Sequence, residues 1–168
     1  MKPEFRPVNV DDHFSVCMAF RRDAFVCTFQ SDHGFGPFIH GYEERMRARL
    51  VDPRWYYIHI WDDDQIIGQL EFKCFSDEAE TGYIHLIYLI PEYRGSGVAD
   101  IAQQFMADTL HQAGCQAMLL TVSRTNVRAL RHYRRWGWQR VGEDGSLRGT
   151  DIYRRDIRIH QDGEWVLC

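Results

Sequence analysis

Between Tyr83 and Val122 the apolar residues change period twice, and this stretch constrains the fold more than any other part of the chain. Tyr83 to Ile90 is an apolar run of strand length, after which Val98, Ile101, Ala102, Phe105, Met106 and Leu110 recur at helical spacing. Gly114 stands where a C-terminal helix cap belongs, and Ala117 to Val122 reads as a second buried strand. Strand, crossover helix and strand make a parallel pair, right-handed by the usual rule.

The flanking segments are antiparallel in character. Phe5 to Val8 reads as a short strand, and Asp11 or Asp12 caps a helix to about residue 25 that turns Phe14, Cys17, Met18 and Ala24 inward. Ser31 to Gly41, with three glycines, a proline, Phe35 and Phe38, reads as an irregular aromatic loop. A second helix carries Ile39, Tyr42, Met46 and Leu50 on one side and ends before Pro53. Trp55 to Trp61 and Gln65 to Phe75 flank the turn Asp62-Asp63-Asp64, with Tyr83 to Ile90 as the third partner. A helix from about Asn126 to Trp136 stops at Gly137, and strands follow near Trp138 to Val141 and Asp151 to Ile159. The predicted fold is α/β (α+β): a mixed, mostly antiparallel central sheet with helices on both faces, in one domain over residues 1–168.

Composition excludes several classes of function. The hydrophobic share is 45% and the charged share 26%, and no apolar run approaches a membrane span. Met1-Lys2-Pro3-Glu4-Phe5-Arg6 places charge where a signal peptide is apolar, so the cytoplasm is the expected location. Cys17, Cys27, Cys74, Cys115 and Cys168 are odd in number and never spaced as Cys-x-x-Cys, which signals neither a disulfide framework nor zinc, and all five read as packing thiols. The eight histidines show no ligand spacing, so no metal is expected. From Arg124 to Arg158, ten arginines face four acidic residues, a local +6 in a chain of net −4. With a pI near 6.0, this pattern suits a small anionic ligand near the C-terminal part and a cationic substrate near the acidic remainder better than nucleic acid.

The chemistry gathers between Ile90 and Asp100. There the strand enters the helix through Arg94-Gly95-Ser96-Gly97, so several backbone N–H groups converge at a helix N-terminus, an anion nest. No Gly-Lys-Ser/Thr follows, and Asp100 stands where a dinucleotide fold needs its third glycine, which argues against ATP and NAD.

Arg94-x-x-Gly97-x-Ala99, followed after the parallel strand by Asn126-x-x-Ala129-x-x-x-Tyr133-x-x-x-Gly137-Trp138, resembles the GNAT superfamily of acyl-CoA-dependent N-acetyltransferases. The resemblance implies acetyl-CoA as cosubstrate, bound between two parallel strands that splay apart, with its pantetheine pairing with backbone near Leu89 and Ile90. It places the pyrophosphate on the amides of Arg94, Gly95, Ser96, Gly97, Val98 and Ala99, and sets Asn126 and Tyr133 beside the pantetheine and thioester ends. Members of the family often carry a carboxylate at the point where this chain has Tyr83.

The amine must attack as a neutral nucleophile, and an ordinary ammonium near pKa 10.4 costs about 4–5 kcal/mol to deprotonate at pH 7. Tyr133 is the expected acid for the leaving thiolate, across a mismatch of one or two pK units. The base stays open among Glu71, His85, Glu80 and bound water; Glu71 shares a strand face with Gln69 and Lys73 and could equally pair with Lys73, and His85 could be a satisfied histidine in a buried strand. No cysteine has a partner marking it as an acyl carrier, which favours direct transfer in a ternary complex. The expected function is acetyl transfer to a primary amine of a small molecule or peptide, with a non-catalytic acyl-CoA-binding sensor as the alternative. The oligomeric state stays open, a homodimer included.

Overall fold

The computed structural model describes residues 2–159 and 165–167, which leaves Cys168 outside the described residues. Two compact units emerge, one of residues 1–72 and 86–101, the other of residues 73–85 and 102–168.

In the first unit, β1 (Glu4–Pro7) pairs antiparallel with β2 (Trp55–Asp62), β3 (Gln65–Lys73) follows, and the last residues of β4 (Thr81–Leu89) close the order β1-β2-β3-β4. Helix α1 (Val10–Phe29) is capped by Asn9, whose side chain accepts from the Asp12 amide. This corrects the expected Asp11 or Asp12 cap: both aspartates lie inside the first turn, where they favour the positive end of the helix dipole. The helix also runs past residue 25, to a left-handed Gln30, because no glycine or proline interrupts it.

The aromatic segment 31–41 is not wholly irregular. Phe35–Ile39 forms the short helix α2 between Gly34 (φ 87°) and Gly41 (φ 76°), both in the left-handed region that glycine tolerates, and Pro37 sits early enough in it to be accommodated. Phe25 of α1 packs against Phe35 and Phe38 of α2, ring centroids 5.5 and 5.1 Å away. Helix α3 (Tyr42–Leu50) excludes Ile39 and joins α1 on one core cluster of Val8, Cys17, Tyr42, Met46 and Tyr57.

In the second unit, the first residues of β4 pair in parallel with β5 (Ala117–Ser123), and β5 pairs antiparallel with β7 (Thr150–Ile159), which carries β6 (Gln139–Glu143) and β8 (Trp165–Leu167). The β1–β2, β5–β7, β6–β7 and β7–β8 pairs are antiparallel, so the sheet is mixed and mostly antiparallel as expected. The parallel register runs from Thr81↔Ala117 to Ile84↔Leu120 and stops there, although β4 continues to Leu89. Helix α4 (Val98–Gln112) buries Ala102, Met106 and Leu110. A side chain at Gly82 would meet Leu110 Cδ2 at 2.9 Å, so α4 covers the sheet face to which Gly82 points and the glycine is what lets the helix approach. Helix α5 (Val127–Arg135) follows β5.

Candidate active site

The loop into α4 is built to keep amides free. A single 3₁₀ turn, Pro91–Tyr93, leads to Gly95 and Gly97, at φ 78° and 92°. The amides of Arg94 and Ser96 are used inside the turn, donating to Pro91 O and Tyr93 O. Those of Gly95, Gly97, Val98 and Ala99 donate to no protein group among the described residues, as expected of a helix N-terminus. A Cβ at Gly97 would meet nothing within 4 Å, so the space before these amides is open. Both features fit a pyrophosphate.

The Arg94 side chain turns into the protein: Nη2 lies 2.8 Å from Asp23 Oδ2 and Nε donates to Leu89 O at 2.9 Å. Tyr88 donates to the same Asp23 oxygen at 2.5 Å. The Ile90 amide, expected near pantetheine, donates to Ile67 O. Backbone of Leu89 and Ile90 is thus partly committed before any ligand arrives.

Glu71 lies at the centre of a buried network, which corrects the expected surface pairing with Lys73. The carboxylate is 2% exposed. Arg21 donates to it from Nη2 at 2.6 Å and Nε at 3.3 Å, the Tyr42 hydroxyl at 2.6 Å and Gln69 Nε2 at 2.7 Å. Gln69 Oε1 then takes a hydrogen bond from His59 Nε2 at 2.8 Å, which leaves His59 Nδ1 as a buried acceptor with no partner. Burial and the Glu71 charge both push the Tyr42 phenol upward, and burial pulls His59 below its ordinary range.

In the second unit, Asn126 is the N-cap of α5, its Oδ1 accepting from the Ala129 amide at 3.3 Å. Tyr133 packs its ring on Trp138, 5.7 Å between centroids, and its hydroxyl makes no hydrogen bond among the described residues. Burial pushes that phenol up to about 12. The mismatch with a thiolate is therefore wider than one or two units, though the phenol stays protonated throughout the neutral range. His85 is exposed rather than buried, with its ring 4.7 Å from that of Tyr83.

Among the described residues no group of three or more histidines, cysteines or acids could hold a metal, and no helix is long and apolar enough to cross a membrane. The acetyltransferase (GNAT) family matches over residues 19–138, the span that holds both the α4 loop and α5. The chain belongs to this family.

N-alpha-acetyltransferase 30 of Schizosaccharomyces pombe is 31% identical over 111 residues, covering 59% of this GNAT chain and 74% of the relative. In fold the chain is similar to the PaiA N-acetyltransferase of Thermoplasma acidophilum in complex with coenzyme A, at TM-score 0.79 and 18% identity over 93% of this chain and 99% of that one. An acetyltransferase from Thermus thermophilus gives TM-score 0.74 and 18% identity, over 93% and 97%. The protein is accordingly an acetyl-CoA-dependent acetyltransferase, with acetyl-CoA as cosubstrate.

Three participants in this GNAT chain escaped the sequence reading. Asp23 and Tyr88 fix Arg94, and Arg21 neutralises Glu71. Their partners lie 50 to 71 residues away in sequence, beyond the reach of any local pattern.

Proposed function

We propose that this acetyltransferase moves the acetyl group from acetyl-CoA directly to a primary amine in a ternary complex, with Tyr133 as the proton donor to the leaving thiolate. The observation that carries the reading is the Tyr133 hydroxyl, which has no hydrogen-bond partner among the described residues and whose phenol is kept protonated by burial. Tyr133 is half-buried with its ring packed on Trp138, so its hydroxyl is open to a ligand. The amides of Gly95, Gly97, Val98 and Ala99 would hold the pyrophosphate, and Asn126 caps the helix that presents Tyr133.

The thiols support the direct route. Burial raises Cys17 to about 12 and Cys115 to about 11, so neither supplies thiolate at neutral pH. The sulfur of exposed Cys27 lies 4.0 Å from the Asp23 carboxylate, which Arg94 and Tyr88 already hold.

The acceptor best supported is the α-amine of a peptide. The relative's name, N-alpha-acetyltransferase 30, points that way. Glu71, a candidate base from the sequence, already has its charge matched by Arg21, so it does not draw a polyamine. In this reading Glu71 is a positioning residue for Tyr42 and Arg21.

Free-thiol release from acetyl-CoA, run across short peptides, polyamines and amino acids, tests the reading. Peptides are expected to turn over fastest, and Tyr133→Phe is expected to lower kcat by about 100-fold while acetyl-CoA affinity stays within a few-fold. Wild-type turnover in Tyr133→Phe would overturn the acid assignment.

A further inference from the structure

Among the described residues the Tyr133 hydroxyl has no hydrogen bond to aim it, so its ring contacts set where it points. Two rings of the second unit flank it. His132 stands 5.7 Å away between centroids at 61°, Trp138 5.7 Å away at 59°, and the Trp138 amide donates to Tyr133 O at 3.0 Å. Both rings are tied to one side chain. Gln103, on the second turn of α4 and fully buried, has its Oε1 3.1 Å from Trp138 Nε1 and its Nε2 2.6 Å from His132 Nε2. Arg155 of β7, also buried, donates from Nη1 to the same Gln103 oxygen at 3.0 Å, and its guanidinium lies 5.2 Å from the centroid of the Trp136 ring.

The direction of each bond follows from the donor inventory. An indole N–H and a guanidinium only donate, so the Gln103 atom facing Trp138 and Arg155 is its carbonyl oxygen, and the atom facing His132 is its amide nitrogen. That nitrogen only donates as well. His132 Nε2 must therefore accept, which makes the ring the neutral tautomer with its hydrogen on Nδ1. Arg135, 3.5 Å from Nδ1, is then a neighbouring cation and not a donor to the ring. A cluster of this kind is costly, because apolar side chains would fill the same space without desolvating an amide and a guanidinium. What apolar packing does not supply is direction, and these bonds fix both rings against one anchor.

We propose that Gln103 is a positioning residue for Tyr133: by donating to His132 and accepting from Trp138, it clamps the two rings between which the Tyr133 phenol is aimed. The inference rests on the reading of Tyr133 as the proton donor to the leaving thiolate. Gln103 suits the task because its two ends differ, one accepting and one donating, and asparagine, with the same two ends, is one methylene shorter. Arg155 holds the accepting end from the β7 side, so the anchor cannot swing away from Trp138 without leaving a buried guanidinium N–H behind. Sequence offers no local sign of this clamp, since Gln103 stands 29 residues from His132, 35 from Trp138 and 52 from Arg155.

The test measures kcat and KM for peptide acetylation in three variants. Gln103→Met keeps the length of the side chain and cuts both tethers; it should lower kcat about 10-fold, with KM and acetyl-CoA affinity within about threefold of wild type. Gln103→Glu still accepts from Trp138 and Arg155 and can take a hydrogen from His132 in its other tautomer, so it should recover most of that loss. His132→Phe keeps a ring beside Tyr133 and cuts one tether; it should lower kcat in the same way by about threefold, and it decides the matter if Gln103→Met does not fold. Placed on Tyr133→Phe, each further change should cost less than about twofold in kcat, because the group to be aimed is gone. Side-chain nitrogen NMR should find His132 of the wild-type protein protonated on Nδ1. Losses that add in full to that of Tyr133→Phe, a raised KM in place of a lowered kcat, no recovery in Gln103→Glu, or a wild-type His132 protonated on Nε2 would overturn the clamp while leaving Tyr133 as the acid. Wild-type turnover in Tyr133→Phe removes the acid reading itself, and the clamp with it.

Discussion

Arg94 is held by Asp23 across 71 positions of sequence, Nη2 to Oδ2 at 2.8 Å, and the same guanidinium caps Leu89 O and lies 5.5 Å from the centroid of the Tyr88 ring. The residue that opens the Gly95–Gly97 loop is therefore a brace between the loop, the end of β4 and α1. A brace acts on binding by fixing where the free amides point. Asp23→Asn keeps the volume and removes the charge; it should weaken acetyl-CoA binding three- to tenfold and cost about 1 kcal/mol of stability, the pair being partly exposed. Calorimetry and thermal melting check this. Unchanged affinity would mean that the loop holds its shape without the brace.

Gly97 separates conformational need from room. At φ 92° with nothing within 4 Å of a Cβ, Gly97→Ala meets no protein atom, yet it strains the backbone by about 1–2 kcal/mol and places a methyl group where an anion must approach the amides. Acetyl-CoA affinity is expected to fall at least tenfold in a folded variant. Gly114→Ala, in a helix-terminating glycine at φ 96° and equally open, is the control: it should lose similar stability but no affinity. Equal losses of affinity in the two would reduce the Gly97 effect to strain.

The elements that can be read in sequence are those whose signals are local. The period change at Val98, the glycines of the α4 loop and the Gly137 stop after α5 each act within one or two turns, and the structure has each in place. Where a distant partner decides, sequence misleads. Glu71 alternates with Gln69 and Lys73 and so resembles a surface strand residue, but Arg21, 50 residues earlier, arrives on α1 and makes burial tolerable. His85 sits in an apolar run that looks buried on both sides, while the β5 register that would cover it ends one residue before. The Ser31–Gly41 glycines were legible as turn formers, and the contact of Phe35 and Phe38 with Phe25 that orders α2 between them was not.

His59 gives the protein an acid limit. Burial and the neighbouring His13 disfavour its charged form, so the folded chain binds this proton less readily than the unfolded chain. Stability from this residue is complete above the ordinary imidazole value, about pH 6.5, and declines as pH falls below it. Urea midpoints should therefore be lower at pH 5.5 than at pH 7.5, and His59→Gln, which retains a donor for Gln69 Oε1, should flatten that slope. A slope as steep in the variant as in wild type would assign the acid loss to other groups.

The arginines along α5 divide by what already holds them. Arg124, just ahead of the helix, forks onto Asp151 at 2.8 to 3.1 Å and reaches Glu143, and with Arg140 it draws the Asp151 carboxyl down to about 2. Arg135 lies 3.5 Å from His132 Nδ1. Arg128 and Arg131, one turn apart on the helix that presents Tyr133, are exposed and make no ion pair among the described residues. No acidic residue falls between Arg124 and Glu143 to neutralise them. Coenzyme A carries a 3′-phosphate besides its pyrophosphate, and a guanidinium can fork onto it with two parallel hydrogen bonds. An exposed contact of this kind is worth about 1.4 kcal/mol, or tenfold in affinity. Coenzyme A should accordingly bind about tenfold tighter than 3′-dephospho-coenzyme A at low salt, and the preference should shrink as ionic strength rises and screens the exposed charges. Arg128→Ala or Arg131→Ala should erase the preference without changing kcat, whereas Arg124→Ala should lower stability and leave the preference in place. Equal affinity of the wild-type protein for the two ligands would return Arg128 and Arg131 to an ordinary solvated helix face and leave the pyrophosphate as the anchoring anion.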